Sequence, residues 1–251
     1  MNRSGEIVNR KQVRDNERCL LDYQNDLLES PMTFDECITA DRWDKLRKAG
    51  DRTVKQESIR CDSLDVPPPF AYTDSETVIS AAMDGALALT YDIFGGPAVL
   101  DDDLVKKTEN RTLARCQFEM LKRADLLESA VLKEVNKAKR LALKDEMVDS
   151  AAALEAELQT VFSSNTKIQN HQDRLVKRVD NTCSFLQVPP ATIFPGQCAD
   201  GNVSLREIEI CVIEAARCQA CLKINGFDDL SLDCDLADDQ TTNGSCGVAG
   251  D

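Results

Sequence analysis

The sequence predicts an all-α protein of two tandem, diverged helical-hairpin units, followed by an irregular acidic C-terminal tail that disulfides tie to the helices. Three observations predict this fold class. Residues 98–188 contain neither glycine nor proline and are rich in helix-forming side chains. One segment of the chain recurs further on, and eleven cysteines among 251 residues exceed the usage of ordinary globular proteins.

The recurring segment is formed by residues 51–68 and 173–190, which share nine of eighteen residues without a gap. Shorter matches flank it in the same order: 26–30 with 125–129, each preceded by an Arg-Cys pair, and 78–82 with 212–216. We therefore divide the chain into a first helical unit (6–97), a second helical unit with a longer hairpin (98–226), and a tail rich in Cys and Asp (227–251).

Capping and breaking residues predict several helix boundaries. Gly95-Gly96-Pro97 predicts the end of the last helix of the first unit. Two proline runs, 67–69 and 189–190, predict an extended link after each copy of the recurring segment. Two Thr-x-x-Glu sequences have the spacing of a capping box at a helix start: Thr33 with Glu36, and Thr73 with Glu76.

The charge balance argues against two classes of partner. The net charge of −14 repels nucleic acid and anionic membranes, which require clustered Lys and Arg. The most basic run, residues 133–144, also contains Glu134 and has apolar residues at helical spacing, so we interpret it as a solvated helix face. No apolar run approaches the roughly 18 residues of a membrane span. We expect no nucleic-acid binding and no membrane insertion.

The cysteines predict the compartment. Cysteines at this density are usually oxidised pairs outside the cell or metal ligands inside it. The first residues of the chain lack the apolar stretch of a secretory signal. We expect an extracellular or periplasmic protein whose signal peptide is not part of this chain; the alternative is an intracellular protein with reduced thiols.

Equivalent cysteines in two copies of a hairpin should form equivalent bonds, because an antiparallel helix pair brings its two ends together. Cys37 has no counterpart in the second unit, so it is the predicted odd thiol. The predicted pairs are Cys19–Cys61, Cys116–Cys183 and Cys198–Cys211.

The last four cysteines are predicted to form two bridges that tie the tail to the last helix. Cys218 and Cys221 lie on one helix turn and are poorly placed to bond each other, so each should reach a tail cysteine, Cys234 or Cys246. The connectivity stays open. One alternative is zinc held by the four thiolates, and another is redox activity of Cys218 and Cys221.

A second metal hypothesis concerns the acidic tail. Its carboxylates could hold a hard cation such as calcium, but their spacing fails the EF-hand pattern. A solvated acidic turn is therefore the preferred interpretation. The weak calcium alternative involves Asp233, Asp235, Asp238 and Asp239.

The segment 218–246 carries the pattern Cys-x-x-Cys-Leu-x-x-Asn, then Asp-x-Leu-Ser-x-Asp-Cys-Asp-x-x-Asp-Asp and Asn-Gly-Ser-Cys. It resembles a module of uncharacterised exported, Cys-rich proteins of environmental bacteria that have helical repeats upstream. This chain has Gln240 where the module usually has glycine. The resemblance implies export and paired cysteines, and it implies no activity.

The sequence contains no catalytic motif. His171 is the only histidine, and no nucleophile elbow, P-loop or dinucleotide fingerprint occurs. We expect a non-enzymatic exported structural or binding protein without a cofactor, whose partner is an unknown protein or surface ligand. The alternatives are an intracellular interaction module with a four-thiolate zinc site and, behind it, a thiol oxidoreductase using Cys218 and Cys221.

Overall fold

The computed structural model describes residues 2–61, 70–96, 104–145, 148–185, 187–201 and 204–246, and within these ranges the regular secondary structure is entirely helical. The all-α prediction is confirmed. The helices are α1 (Asn2–Gln24), α2 (Phe34–Thr39), α3 (Lys45–Arg60), α4 (Ser75–Phe94), α5 (Lys107–Lys144), α6 (Ala151–Ser164), α7 (Thr166–Cys183), α8 (Pro190–Ile193), α9 (Leu205–Asp228) and α10 (Cys234–Asp238), with a 3₁₀ turn at Gln197–Ala199.

Four long helices form the centre of the molecule. Helix α1 packs against α4 and α5, and α9 packs against the same two helices from the opposite side, so that the four form a closed ring. Helix α3 covers α1 and α4, while α6 and α7 cover α5. The enclosed core is mainly aliphatic, with Leu20, Leu89, Leu121 and Ile224 fully buried. Burial of these side chains is the main force that holds the ring together.

Small residues allow α4 and α9 to pack closely. A Cβ atom added at Gly226 would lie 2.7 Å from the Cβ of Ala81, which is too close for any larger side chain. Among the described helices, α4 is the one that is long and apolar enough to cross a membrane, judged by length and composition. It packs here against α1, α3 and α9, which is the position of a core helix.

Helix boundaries agree with the predicted caps in two of three cases. Thr33 and Glu36 form the predicted capping box at the start of α2. Helix α4 ends at Phe94, and Gly95 follows with a φ of 91°, which glycine adopts without steric cost. The predicted capping box at Thr73 is wrong: Asp74 caps α4 instead, because its carboxylate reaches the backbone N–H of Thr77 at 2.8 Å.

Two disulfides of the helical units agree with prediction and one does not. Cys116–Cys183 joins α5 to α7, and Cys198–Cys211 joins the 3₁₀ turn to α9. The predicted Cys19–Cys61 pair is wrong, and so is the prediction that Cys37 is the odd thiol. Cys19 bonds Cys37, and Cys61 is the cysteine left as a half-buried thiol.

The direction of α3 explains this error. The ion pair of Lys45 with Asp15 places the start of α3 beside the second half of α1. Helix α3 then runs antiparallel to α1, and at 1.5 Å per residue its end lies about 24 Å further towards the start of α1. Cys61 is therefore carried away from Cys19, whereas the short loop after α1 brings Cys37 within 5.8 Å, Cα to Cα.

The proposed repeat is reflected in only part of the structure. Residues 51–60 and 173–182 are both helical, as the ends of α3 and α7. The first proline run lies outside the described residues, and in the second Pro190 begins the short helix α8, where proline is tolerated as the first residue. The match of 26–30 with 125–129 is structurally wrong, since the first is a loop and the second lies within α5.

Candidate functional site

Helices α1 and α5 run antiparallel and meet along a seam at the surface. Contacts at both ends hold the two helices together. At one end the side-chain amide of Gln24 donates to the carbonyl of Ala114 at 2.7 Å, and at the other Asn136 donates to Glu6 at 2.6 Å. These contacts fix which faces of the two helices lie side by side.

Eight basic side chains follow this seam, and we call them the basic seam. Neighbouring members on the same helix are four, seven or eleven residues apart. Such intervals return to the same helix face. The four-residue interval between Lys107 and Arg111 contains a kink at Asn110 and is not regular helix. Helix α1 contributes Arg3, Arg10 and Arg14, and helix α5 contributes Lys107, Arg111, Arg115, Lys122 and Lys133.

The cations of the basic seam lack acidic partners. None of the eight lies within 4 Å of a carboxylate oxygen of a described residue. Neighbouring cations behave differently, since Lys106 pairs with Asp26 at 2.6 Å and Arg123 with Glu119 at 2.7 Å. The basic seam is therefore a concentration of uncompensated positive charge on a chain of net charge −14.

One carboxylate, Glu17, lies near the middle of the seam. It feels the charges of Lys122 on the facing helix and of Arg14 on its own helix, both of which lower its pKa. Burial outweighs them and raises the pKa of Glu17 above its ordinary value. Glu17 is therefore a weaker acid than an exposed glutamate, despite the two cations beside it.

A cleft of about 510 Å³ opens at one end of the seam, between α1, α5 and the end of α7. We call it the large cleft. Its basic side chains are Lys107, Arg111 and Arg115, and its apolar wall consists of Leu21, Phe118 and Phe185. The Phe185 side chain is 62% exposed, so an apolar group is held in solvent beside the cations. Such a lining suits a ligand with anionic and apolar parts.

The Cys116–Cys183 disulfide shapes the large cleft. Arg115 and Thr182, which both line the cleft, immediately precede the two bonded cysteines. The bond holds the Cα atoms of the cysteines 5.3 Å apart. The cleft is therefore fixed by a covalent link between two of its walls.

A smaller cleft of about 270 Å³ lies towards the other end of the seam. Arg3, Arg10 and Lys133 line it, together with Ile7 and the carboxylate of Glu6. Its floor includes the buried amide of Asn9. We call this the small cleft.

A buried ionic cluster lies beneath the small cleft. The ammonium of Lys223 pairs with the carboxylate of Glu128 and donates to the side-chain oxygen of Asn9 at 2.7 Å. The amide nitrogen of Asn9 donates to Glu128 at 3.4 Å. Lys223 also covers Gly85 on α4, where an added Cβ would lie 2.2 Å from its Cε atom. The cluster joins α1, α5 and α9 through one charged pair.

Asp125 is a second buried carboxyl near this cluster. Both of its side-chain oxygens are buried and have no hydrogen-bond partner among the described residues. Burial, followed by the charges of Glu128 and Glu17, raises the pKa of Asp125 well above its ordinary value. Burial therefore favours the protonated form of Asp125, which adds less negative charge beneath the seam than an exposed aspartate would.

A second groove, of about 300 Å³, lies between α7 and α9 and has mixed charge. Arg206 and Arg217 face Asp173, Asp238 and Asp239 there. Opposite charges within the groove already compensate each other. It is therefore a weaker candidate for a charged ligand than the basic seam.

The C-terminal cysteines form the two predicted bridges to the tail. Cys218 bonds Cys246 and Cys221 bonds Cys234. Both helix cysteines reach into the tail, as expected. The four sulfur atoms form two disulfides, so the four-thiolate zinc alternative and the thiol-redox alternative at Cys218 and Cys221 would each require reduction of these bonds.

The tail carboxylates of the calcium alternative hold the tail together instead. Asp233 caps α10, and Asp235 accepts from the backbone N–H groups of Gly244 and Cys246 at 2.6 and 2.9 Å. Asp238 accepts from the hydroxyl of Ser245, and Asp239 accepts from Asn243. No cluster of three or more metal-ligand side chains occurs among the described residues.

The basic seam was not recognised in the sequence, where its residues are spread over positions 3–14 and 107–133. The sequence signal was the recurrence of Arg or Lys at helical intervals on two separate helices. This recurrence identifies a shared surface only once α1 and α5 are known to pack side by side.

The fold and the seam together define an all-α, disulfide-stabilised helical protein with a basic surface groove. Comparisons of the chain with protein-family models, with curated proteins and with solved structures give no match.

Proposed function

We propose that this is an exported, non-enzymatic binding protein whose basic seam holds an anionic ligand. The observation that carries the proposal is the set of eight cations without acidic partners on a chain of net charge −14. An acidic protein of this kind has many carboxylates available for pairing, yet the eight cations of the seam are accompanied by two acids, Glu6 and Glu17. An anion from outside would supply the missing charge.

Repulsion within the seam supports this proposal. Arg10 and Arg14, and likewise Arg111 and Arg115, are like-charge pairs separated by one helical turn. Such pairs destabilise a helix by a few tenths of a kcal/mol each. A bound anion would turn this repulsion into attraction, and binding would stabilise the folded state.

The chemistry of the clefts supports binding rather than catalysis. Arginine, lysine, amide and apolar side chains predominate in both linings. These groups hold an anion, and arginine forms paired hydrogen bonds with carboxylate, sulfate or phosphate oxygens.

The five disulfides support export. Bonds of this kind persist in oxidising compartments and are rare where thiols are kept reduced. The proposed ligand is therefore an anion that an extracellular or periplasmic protein meets.

Calorimetric titration with short anions tests the proposal. Citrate and a sulfated disaccharide are suitable probes, because each fits within the large cleft. We expect the double substitution Arg111→Gln/Arg115→Gln to weaken binding at least tenfold. The matched control is Arg52→Gln/Arg60→Gln, which removes two exposed charges from α3 and should leave the affinity unchanged. Equal affinities of the two variants, or no binding of any anion, would contradict the proposal.

A further inference from the structure

The large and small clefts open onto the same seam, one near each end. The large cleft includes Gln24 of α1, and the small cleft includes Arg3. At 1.5 Å per residue these positions are about 30 Å apart along the helix. A single ligand that contacts both clefts must therefore be extended.

The positive charge continues between the two clefts. Arg14 and Lys122 occupy this interval, and the ammonium of Lys122 lies 5.8 Å from the ring of Phe118, which lines the large cleft. Glu17 is the interposed acid, and burial raises its pKa. A ligand along the seam would meet cations at intervals of about 6 to 17 Å on each helix.

We infer that the ligand is an acidic polysaccharide chain that lies lengthwise along the basic seam and occupies both clefts. This inference rests on the proposed function, because it identifies the class of anion that the seam binds. A chain with one negative charge on each sugar or each pair of sugars would present charges repeatedly along its length. The apolar faces of its rings would pack against Ile7, Leu21 and Phe118, which lie half-buried in the two clefts.

The charge on the rest of the protein favours a slender chain over a broad polyanion. The eight cations of the seam and its two acids, Glu6 and Glu17, contribute +6, so the remainder of the chain carries −20 of the total of −14. Duplex DNA has one charge per roughly 1.7 Å and is wider than the groove between two packed helices, whose axes are roughly 8–10 Å apart. The outer phosphates of a duplex would lie beyond the cations of the seam, and the net negative charge of the rest of the chain repels them.

Length dependence of binding tests the inference. Sulfated oligosaccharides of two to twelve sugars, labelled at one end, would be titrated with the full chain and followed by fluorescence anisotropy. We expect one chain to bind per protein, and affinity to rise at least tenfold up to the length that spans about 30 Å and then to level off. Affinity for the longest chain should fall steeply with salt, because several counterions are released together.

Substitutions at one end of the seam sharpen the test. Arg3→Gln/Lys133→Gln should weaken binding of the longest chain at least fivefold and leave binding of the disaccharide unchanged. Arg52→Gln/Arg60→Gln is again the matched control. If short chains bind with full affinity, or two of them bind per protein, the extended ligand is ruled out while the proposed function stands. Tighter binding of duplex DNA of equal charge would also overturn the inference, and absence of all anion binding would overturn both proposals.

Discussion

The ammonium of Lys167 lies 3.0 Å from the carboxylate of Glu134 and joins the start of α7 to α5. Lys45 and Asp15 form the corresponding ion pair, at 3.7 Å, between the start of α3 and α1. Lys45 and Lys167 are separated along the chain by the same interval as the two copies of the recurring segment. The two lysines thus agree with the recurring segment, whereas their acidic partners do not, because Asp15 and Glu134 are 119 residues apart and the Arg-Cys pairs at 18–19 and 115–116 are 97 apart.

The repeat proposal predicts a specific superposition. In an experimental structure, we expect the pair α1 and α3 to superpose on the pair α5 and α7 when Lys45 is placed on Lys167. Different crossing angles in the two helix pairs would contradict a common origin of the units.

Loss of the Cys116–Cys183 bond should affect both stability and ligand binding. The bond closes a loop of 67 residues, and the chain-entropy model assigns it about 4 kcal/mol. We expect Cys116→Ser/Cys183→Ser to lose stability of that order in urea unfolding and to bind anions more weakly, since the walls of the large cleft are no longer linked. Cys19→Ser/Cys37→Ser, which opens a loop of 18 residues, should cost about 3 kcal/mol and preserve anion affinity. Equal effects of both variants on binding would argue against a role of the first bond in the cleft.

The tail should lose its structure on reduction before the helices do. Residues 229–246 contribute few apolar side chains to the core, and ordering costs about 1–2 kcal/mol per residue. The bonds Cys218–Cys246 and Cys221–Cys234 offset this cost by restricting the unfolded tail. Hydrogen exchange with and without a reductant should show early loss of protection in the tail, while α1, α4 and α5 stay protected. Equal protection of the tail in both conditions would show that its other contacts suffice.

The buried pair of Lys223 and Glu128 should be costly to break on one side. Lys223→Met leaves the carboxylate of Glu128 buried and unpaired, and we expect a loss of about 3–5 kcal/mol in urea unfolding. The double variant Lys223→Met/Glu128→Met removes the uncompensated charge and should recover much of that stability. If the double variant is as unstable as the single one, then packing, and not charge pairing, determines the effect.

Stability should depend on pH through Glu209. Burial, together with the nearby charge of Asp180, raises the pKa of Glu209 to about 7. The folded protein keeps this proton where the unfolded chain, with a pKa near 4.5, has lost it. The resulting stabilisation is complete below pH 4.5 and is lost as the pH rises through 7.

Glu209→Gln removes this dependence and isolates it from other groups. Relative to the variant, the native protein should lose about 3 kcal/mol of unfolding free energy between pH 4 and pH 8. Chemical unfolding at a series of pH values measures this difference. A constant difference across the range would show that Glu209 ionises normally in the folded state.

Local patterns in the sequence were sufficient to predict the helical class, the capping box at Thr33 and the bridges to the tail. Each depends on residues close together in the chain or on a short helix face. The pairing of Cys19 was mispredicted because it depends on the direction of α3, which tertiary packing determines. Sequence similarity between Cys61 and Cys183 carried no information about whether Cys61 would reach Cys19, as Cys183 reaches Cys116.

The buried polar groups were also beyond prediction. Lys223 and Glu128 resemble surface residues in the sequence, and burial of their charges becomes possible only because the two side chains meet inside the ring. The basic seam has the same origin, since its residues come from two helices more than eighty residues apart. The net charge of −14 predicted a generally acidic surface and concealed this local excess of cations.

Arginine footprinting tests the central claim most directly, because it reports where an anion binds and not only whether it binds. The full chain would be modified with a dicarbonyl reagent in the presence and absence of a sulfated dodecasaccharide, and the modified peptides would be quantified by mass spectrometry. We predict protection of Arg10, Arg14, Arg111 and Arg115, with Arg52 and Arg60 modified equally in both conditions. Uniform modification of all six arginines, or protection confined to Arg52 and Arg60, would contradict the assignment of the α1–α5 seam as the binding site.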